Sequence, residues 1–318
     1  MTFPAGPQRQ TEQPLALIGA ASALGAPHPG SARGPSALEG GMLMATLQAA
    51  GRMARWSDTL EPAPQQDTAR DMRAGLQANG AFAARLADAI VALPAGDFPL
   101  VLGGDHAIAT GTWRGVGRRT GHAPGLIWID AHLDSHTSHT THSGNIHGMP
   151  LAALLGEGAP ELADLPGPRL APSRCCIIGA RAWEAEEHAL LQRLGVRTFT
   201  MDEVHHRGLH AVMGDALAIA RAGGHGFGIS LDLDAIDPAE LPAVTCPEPD
   251  GLGVAMLAAE LRRLRACPDF IAMEIVEYRP DLDPEGLCAA RIVQLAQAAL
   301  GREPIPAPPV APGVAKVQ

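Results

Sequence analysis

Four short apolar runs in this chain end on side chains that can bind a metal, and this constrains the fold more than any other feature. FPLVLGG (98–104) leads into Asp105 and His106, and GLIWID (125–130) continues as AHLDSH. GFGISLDLD (226–234) closes on Asp232 and Asp234, and FIAMEIVEY (270–278) carries Glu277 near its end. Runs apolar on both faces suit strands covered on both sides. LALIGA (15–20), CCIIGA (175–180) and VRTFTM (196–201) have the same character. Segments near 38–53, 68–92, 148–156, 184–194, 210–222, 254–266 and 286–300 read as helices between them. This alternation specifies an α/β fold with a mainly parallel sheet and helices on both sides. In open sheets of that kind the crevice lies at the carboxyl edge, so strand ends remote in sequence can meet there.

The 318 residues would suit two domains of ~150, but one α/β domain absorbs such a length. Hydrophobic residues make up 46% and charged residues 18%, which excludes global disorder. Residues 1–13 read as a disordered N-terminus, 14–302 as a single domain, and 303–318 as a proline-rich tail. Lysine plus arginine number 24 against 34 acidic residues, a balance that argues against a nucleic-acid or anionic-membrane partner. The N-terminus lacks a basic segment followed by an apolar one, so no secretory signal is read. No apolar stretch approaches the ~18 residues of a membrane span. The five cysteines include no C-x-x-C pair, and they read as buried thiols in a reducing, cytoplasmic setting.

The chemistry begins with WIDAHLDSH. Asp130, His132 and Asp134 sit at i, i+2 and i+4, which places them on one side of an extended chain. Two carboxylates and an imidazole so placed would repel and be costly to desolvate, and a divalent cation resolves the conflict. Asp232 and Asp234 form a second pair two apart; alone they suit a cap or Asx-turn before Pro238 equally well. His106, at a glycine turn opening a helix, would by itself read as a capping or packing residue. Taken together, His106, Asp130, His132, Asp134, Asp232 and Asp234 are too many ligands for one tetrahedral zinc. They suit two octahedral-type ions sharing carboxylates at ~3.5–4 Å. Oxygen-rich ligation with some nitrogen favours Mn²⁺, two per subunit. A water bridging such a pair becomes a nucleophile near neutral pH.

GGDHAIATG, WIDAHLDSHTSHTTHSGNIHGMP, SLDLDAIDPAELPAVTCP and EIVEYRP resemble the arginase branch of the ureohydrolase family, as does IGAASALGAPHPGSARGP near the N-terminus. The resemblance runs from about residue 15 to residue 301. It implies a three-layer αβα sandwich of the arginase/deacetylase-like type, a homotrimer or homohexamer, and a binuclear manganese hydrolase acting on a small guanidino substrate. The family's metal ligands fall on the six residues above, with Asp130 and Asp232 at the bridging positions. His147 matches a proton-shuttling histidine, and imidazole suits that work near pH 7. Glu277 matches the carboxylate that pairs with the guanidinium, a geometry such a fork favours. Asp134 is expected to accept the nucleophile's proton as well as bind metal.

The substrate's amino-acid end is where this chain departs from the pattern. His136 stands at the position of a carboxylate-reading asparagine and Ser138 at that of a proline, whereas Ser143 and Asn145 are retained. Glu184, one methylene longer than the usual aspartate, stands at the α-amino contact, followed by Glu186 and Glu187. Cys246 replaces a threonine. His139 and His142 continue the histidine spacing of His136 along a rim facing substrate or solvent. The expected reaction is hydrolysis of L-arginine to urea and L-ornithine. Alternatives are agmatine, 4-guanidinobutyrate or formimidoylglutamate hydrolysis, and a metal-loaded protein without turnover. Deacetylase relatives share the fold with a single zinc, and six ligands argue against that chemistry.

Overall fold

The computed structural model describes residues 13–63 and 71–302. The expectations for both termini therefore lie outside the described residues, apart from Gln13, whose carbonyl accepts from Arg52 Nη2 at 2.7 Å.

Eight strands form one sheet: β1 (Leu15–Ala20), β2 (Ala54–Leu60), β3 (Phe98–Gly103), β4 (Gly125–Ile129), β5 (Cys175–Ala180), β6 (Arg197–Thr200), β7 (Phe227–Asp232) and β8 (Phe270–Val276). Their order is β2-β1-β3-β8-β7-β4-β5-β6, and every pairing among them is parallel. Eleven α-helices occur among the described residues: α1 (Gly34–Glu39), α2 (Leu43–Ala49), α3 (Met72–Ala92), α4 (Ala109–Thr120), α5 (Pro150–Leu154), α6 (Pro160–Ala163), α7 (Ala185–Leu194), α8 (Met201–Arg207), α9 (Leu209–Arg221), α10 (Val254–Arg263) and α11 (Leu287–Leu300).

The two-residue side-chain period of the strands divides the core into two layers. Leu17, Leu100, Ile129, Ile178, Leu231 and Ile275 face α2, α9, α10 and α11. Ile18, Val101, Trp128, Ile177, Ala272 and Val276 face α3, α4, α5 and α7. This is the three-layer sandwich. Helix α4 carries three glycines, a composition that disfavours helix. Their use is in packing: a Cβ on Gly111 would lie 2.6 Å from Ala83 O, and one on Gly115 would lie 2.9 Å from Ala87 Cα, both in α3.

Helix α6 was not foreseen, and three further elements differ from the sequence expectation. The helix expected over 38–53 is two short helices interrupted at Gly40 and Gly41. The strand expected to reach residue 201 stops at Thr200, whose hydroxyl accepts from Glu203 N at 3.3 Å and starts α8. β2 was not foreseen: as an edge strand it exposes Arg55-Trp56-Ser57-Asp58 in part and lacks a continuous apolar signal.

Candidate metal centre and active site

The sheet order places β3, β8, β7 and β4 side by side. These are the four strands whose ends carry GGDH, Glu277, Asp232 and Asp130. Their crossover connections bring residues from four remote stretches to one carboxyl edge.

Short polar turns fix each strand end. Asp130 Oδ1 accepts from His132 N at 2.7 Å and Asp232 Oδ1 from Asp234 N at 2.9 Å. These are the Asx-type contacts the sequence allowed, and they coexist with convergence on a site. Asp105 Oδ1 accepts from Ala107 N at 2.9 Å, while its Oδ2 accepts from Gly25 and Ala26 N at 2.6 and 3.0 Å, tying the loop after β1 to His106. Asp134 and Glu277 hold φ of 46° and 69°, in a left-handed region costly for residues with a Cβ. Backbone bonds hold them there: Leu151 N donates to Asp134 O at 2.9 Å, and Glu277 N to Gly104 O at 2.7 Å.

His106 shows what the site requires. Its Nε2 lies 2.8 Å from Ser230 Oγ, which donates its only proton to Glu274 Oε1 at 2.6 Å. Trp113 Nε1 donates to the same Glu274 oxygen at 2.5 Å. This network assigns the proton to Nε2 and leaves a lone pair on Nδ1. That lone pair faces Asp232 Oδ2 at 2.9 Å, Asp134 Oδ2 at 3.0 Å and Asp130 Oδ2 at 3.2 Å. Neither Nδ1 nor Asp134 Oδ2 has a hydrogen-bond partner, though both are buried. Four lone-pair donors around one point call for a cation. Separations near 3 Å match the edge of an octahedron whose metal–ligand bonds are about 2.1 Å.

A second donor group adjoins the first. His132 Nδ1 lies 3.1 Å from Asp234 Oδ2 and 3.5 Å from Asp130 Oδ1. His106, Asp130 and Asp232 can hold one ion, and Asp130, His132 and Asp234 another. Asp130 presents one oxygen to each group, the arrangement of a bridging carboxylate. Asp232 reaches His106 only through Oδ2, so sharing by this second aspartate is less direct. The residues fit a binuclear metal site.

The electrostatics agree. Burial and the neighbouring Asp234 and Asp130 charges push Asp232 well above the usual carboxylate range. Burial and Asp130 raise Asp134 to about 6. Burial also favours the neutral form of Asp130, but the facing His106 and His132 imidazoles reverse this and hold it low. Four buried carboxylates cannot all ionise unaided, and two dications remove the conflict.

Beside these groups lies a cavity of about 190 Å³ lined by His132, Asp134, His136, Ser143, Asn145, His147, Gly148, Glu184, Glu187, Asp232, Asp234 and Cys246. Of the residues expected to bind metal, act in catalysis or bind substrate, His106, Asp130 and Glu277 are not on its wall; they lie behind it, 0%, 0% and 2% exposed. Glu277 Oε1 accepts from His106 N at 2.8 Å and pairs with His147 Nδ1 at 3.0 Å, leaving buried Oε2 without a partner. Burial lowers the His147 pKa, but Glu277, Asp105 and Asp134 more than offset this and bring it to about 9. Glu184 and Glu187 are the N-cap and N3 residues of α7, joined in a capping box. On the rim, His142 Nε2 lies 3.6 Å from Glu186 Oε1, and His139 is exposed.

Sequence reasoning missed Ser230 and Glu274. Both are polar residues inside otherwise apolar runs, paired across β7 and β8 on the Trp113 side of the sheet. A buried acid in FIAMEIVEY was the available signal.

Known proteins place these features in context. The Arginase family model matches residues 13–301. An arginase from Brevibacillus brevis is 36% identical over 294 residues, covering 90% of this chain and 97% of that protein. An arginase from Bacillus caldovelox is 35% identical over 303 residues, covering 92% and 99%. The crystal structure of Bacillus caldovelox arginase superposes with a TM-score of 0.85 at 32% identity, covering 92% of this chain and 99% of that one. The strand order, the paired donor groups and this full-length similarity agree: the chain belongs to the arginase family.

Proposed function

We propose that this chain is an L-arginine amidinohydrolase: it hydrolyses the guanidino group of L-arginine to urea and L-ornithine, with two Mn²⁺ ions per subunit. Support comes above all from the adjacency of four motif-bearing strands, which sets two donor groups around one shared aspartate. His106, Asp134 and Asp232 would hold one ion, His132 and Asp234 the other, with Asp130 common to both. When bound, the ions supply Lewis acidity and lower the pKa of water so that it serves as the nucleophile.

The chain's own residues do the rest. Glu277 Oε2, buried and unpartnered, accepts from the substrate guanidinium. Asp134, beside the ion it would hold, also accepts a hydrogen bond from the attacking water and takes up its proton. His147 lines the cavity as an imidazolium, held in that form by Glu277, and protonates the departing amine. Ser143, Asn145, His136, Glu184 and Glu187 surround the end of the cavity available to the substrate's amino-acid group.

A homotrimer or homohexamer and a cytoplasmic setting belong to the same proposal. Five unpaired cysteines accord with a reducing compartment. No helix among the described residues is long and apolar enough to cross a membrane.

The test is urea and ornithine release from L-arginine by Mn²⁺-loaded protein, beside chelator-treated protein and Asp134→Ala. Turnover confined to the loaded wild type is expected; none above the controls rejects the proposal. A second reading keeps the reaction but moves it to agmatine or 4-guanidinobutyrate. The His136–Glu184 contact at the substrate's outer end favours examining it.

A further inference from the structure

Arg181 follows β5 directly and directs every N–H of its guanidinium to a main-chain carbonyl. Nε donates to Pro249 O at 2.8 Å, and Nη1 to Gly179 O at 3.1 Å and Ala235 O at 3.3 Å. Nη2 donates to Asp234 O and Glu248 O, each at 2.8 Å. A guanidinium carries five N–H groups, so none is left for a carboxylate. The backbone of the same residue reaches another side of the metal centre: Arg181 N and Ala182 N donate to Ala131 O at 2.8 and 3.0 Å. Ala131 stands between Asp130 and His132, and its own N–H donates to Asp234 Oδ1 at 3.2 Å.

The carbonyls gathered by this side chain belong to pieces of chain remote in sequence. Asp234 and Ala235 lie in the turn after β7, whereas Glu248 and Pro249 belong to the loop that carries Cys246 to the cavity wall. That loop is built for close approach. Asp250 holds φ of 62°, and a Cβ on Gly251 would fall 2.7 Å from Arg181 Nη2 and 2.5 Å from Asp237 N. Held so, Glu248 Oε1 stands 3.8 Å from His132 Nε2, while the other ring nitrogen faces Asp130 and Asp234. Burial lowers the Arg181 pKa, and the Asp234, Asp130, Glu248 and Asp237 charges oppose this, so the side chain stays a cation.

The first donor group has different supports: His106 is held by Ser230 and, behind it, Glu274, and by the turn that Asp105 makes. Asp130 is common to both groups, and its own N–H donates to Ile178 O at 3.0 Å within the sheet. We propose that Arg181 is the positioning residue of the second donor group. Its guanidinium and its backbone N–H hold Asp234, His132 and the Glu248 loop in one arrangement, and without them the ion at His132 is lost before the ion at His106. Arg181 is not on the cavity wall and hydrogen-bonds to no ligand side chain, so it acts on turnover only through metal occupancy. A lysine cannot take its place, because an ammonium presents three donors from one point whereas these carbonyls surround a planar fork. The inference rests on the binuclear reading of the site.

The experiment counts ions as well as turnover. Free Mn²⁺ is followed by electron paramagnetic resonance as it is titrated into metal-free wild type, Arg181→Gln and Arg181→Lys, after the melting temperature of each has been measured. Anomalous diffraction, at a Mn²⁺ concentration that fills both sites of wild type, identifies the ion that a variant loses. Wild type binds two ions. Both variants bind one of them about 10–100-fold more weakly, the scale of losing an outer support of a metal ligand, and the peak that fades is the one at His132. Urea release from L-arginine falls in the variants at low Mn²⁺ and recovers at high Mn²⁺. If Arg181→Gln melts early, Arg181→Lys carries the test. Wild-type affinity for both ions in Arg181→Lys overturns the proposal, because charge alone then suffices; equal loss of both ions, or loss at His106 alone, overturns it too. Fewer than two ions in wild type overturn the binuclear reading and the inference with it. Selective loss at His132 in a protein that never releases urea upholds the inference and overturns the hydrolytic reading instead.

Discussion

At the scale of single residues, the site depends on where protons are held. His106 keeps its Nδ1 lone pair because Ser230 donates its hydroxyl proton in a hydrogen bond to Glu274 and so accepts from Nε2. Ser230→Ala removes the acceptor for Nε2–H and frees the other tautomer. Loss of such an outer partner typically lowers metal affinity 10–100-fold, and that drop is expected in a Mn²⁺ titration; unchanged affinity would mean that Ser230 does not orient the ring. His147 gives a second prediction. Its pKa rises from 6.5 in the unfolded chain to about 9 in the fold, so the native state holds a proton that the unfolded state releases. The stabilisation is complete below the lower value and is lost as pH rises through the higher one. It amounts to at most on the order of 3 kcal/mol. In chelator-treated protein, wild type should melt above His147→Asn near about pH 6, and the gap should shrink towards about pH 10; a constant gap would contradict the assignment. The metal-competent residues were legible because aspartate and histidine two apart after an apolar strand are hard to explain otherwise. Ser230 and Glu274 were not, because a single polar residue inside a strand has many uses. The His136–Glu184 contact was not legible either: the residues were visible as departures from a pattern, but their pairing requires the loop and the start of α7 to meet.

At the scale of elements, strand character was easy to read where both faces are covered. β1, β3, β4, β5 and β7 are buried at every position and stand out as continuous apolar runs. β2 pairs on one side only, and its sequence shows an exposed edge instead. Helix α4 illustrates tertiary packing overriding propensity, since its glycines serve close approach to α3. β7 uses a glycine in the same way. A Cβ on Gly228 would fall 2.1 Å from the Trp113 ring. Trp113 also holds Glu274, so displacing it disturbs the support beneath His106. Gly228→Ala should cost about 1–3 kcal/mol of stability, as overpacking does, and lower the melting temperature by several degrees. A melt unchanged from wild type would show that the ring moves aside freely.

At the scale of the whole molecule, the acidic excess has a local cause as well as a diffuse one. Four aspartates of the metal centre are buried together, and their repulsion opposes folding until cations enter. Mn²⁺ should therefore raise the melting temperature in a concentration-dependent way, with about 2.7 kcal/mol gained at 100 times the dissociation constant. Asp130→Asn, which weakens both donor groups, should abolish most of that gain; a full gain would show that the metals bind elsewhere. The composition, the strand–helix alternation and the motifs were enough to specify a parallel sheet with a site at its carboxyl edge. The order of its strands was not written in any one segment, because it depends on crossovers that place β7 and β8 between β3 and β4. That order is what turns four separate polar motifs into one centre. Anomalous diffraction at the manganese edge from Mn²⁺-loaded crystals tests it most directly. Two peaks per subunit are expected, one within bonding distance of His106 Nδ1, one of His132 Nδ1, and both reaching Asp130; a single peak, or two peaks that do not share Asp130, would contradict a joint binuclear site.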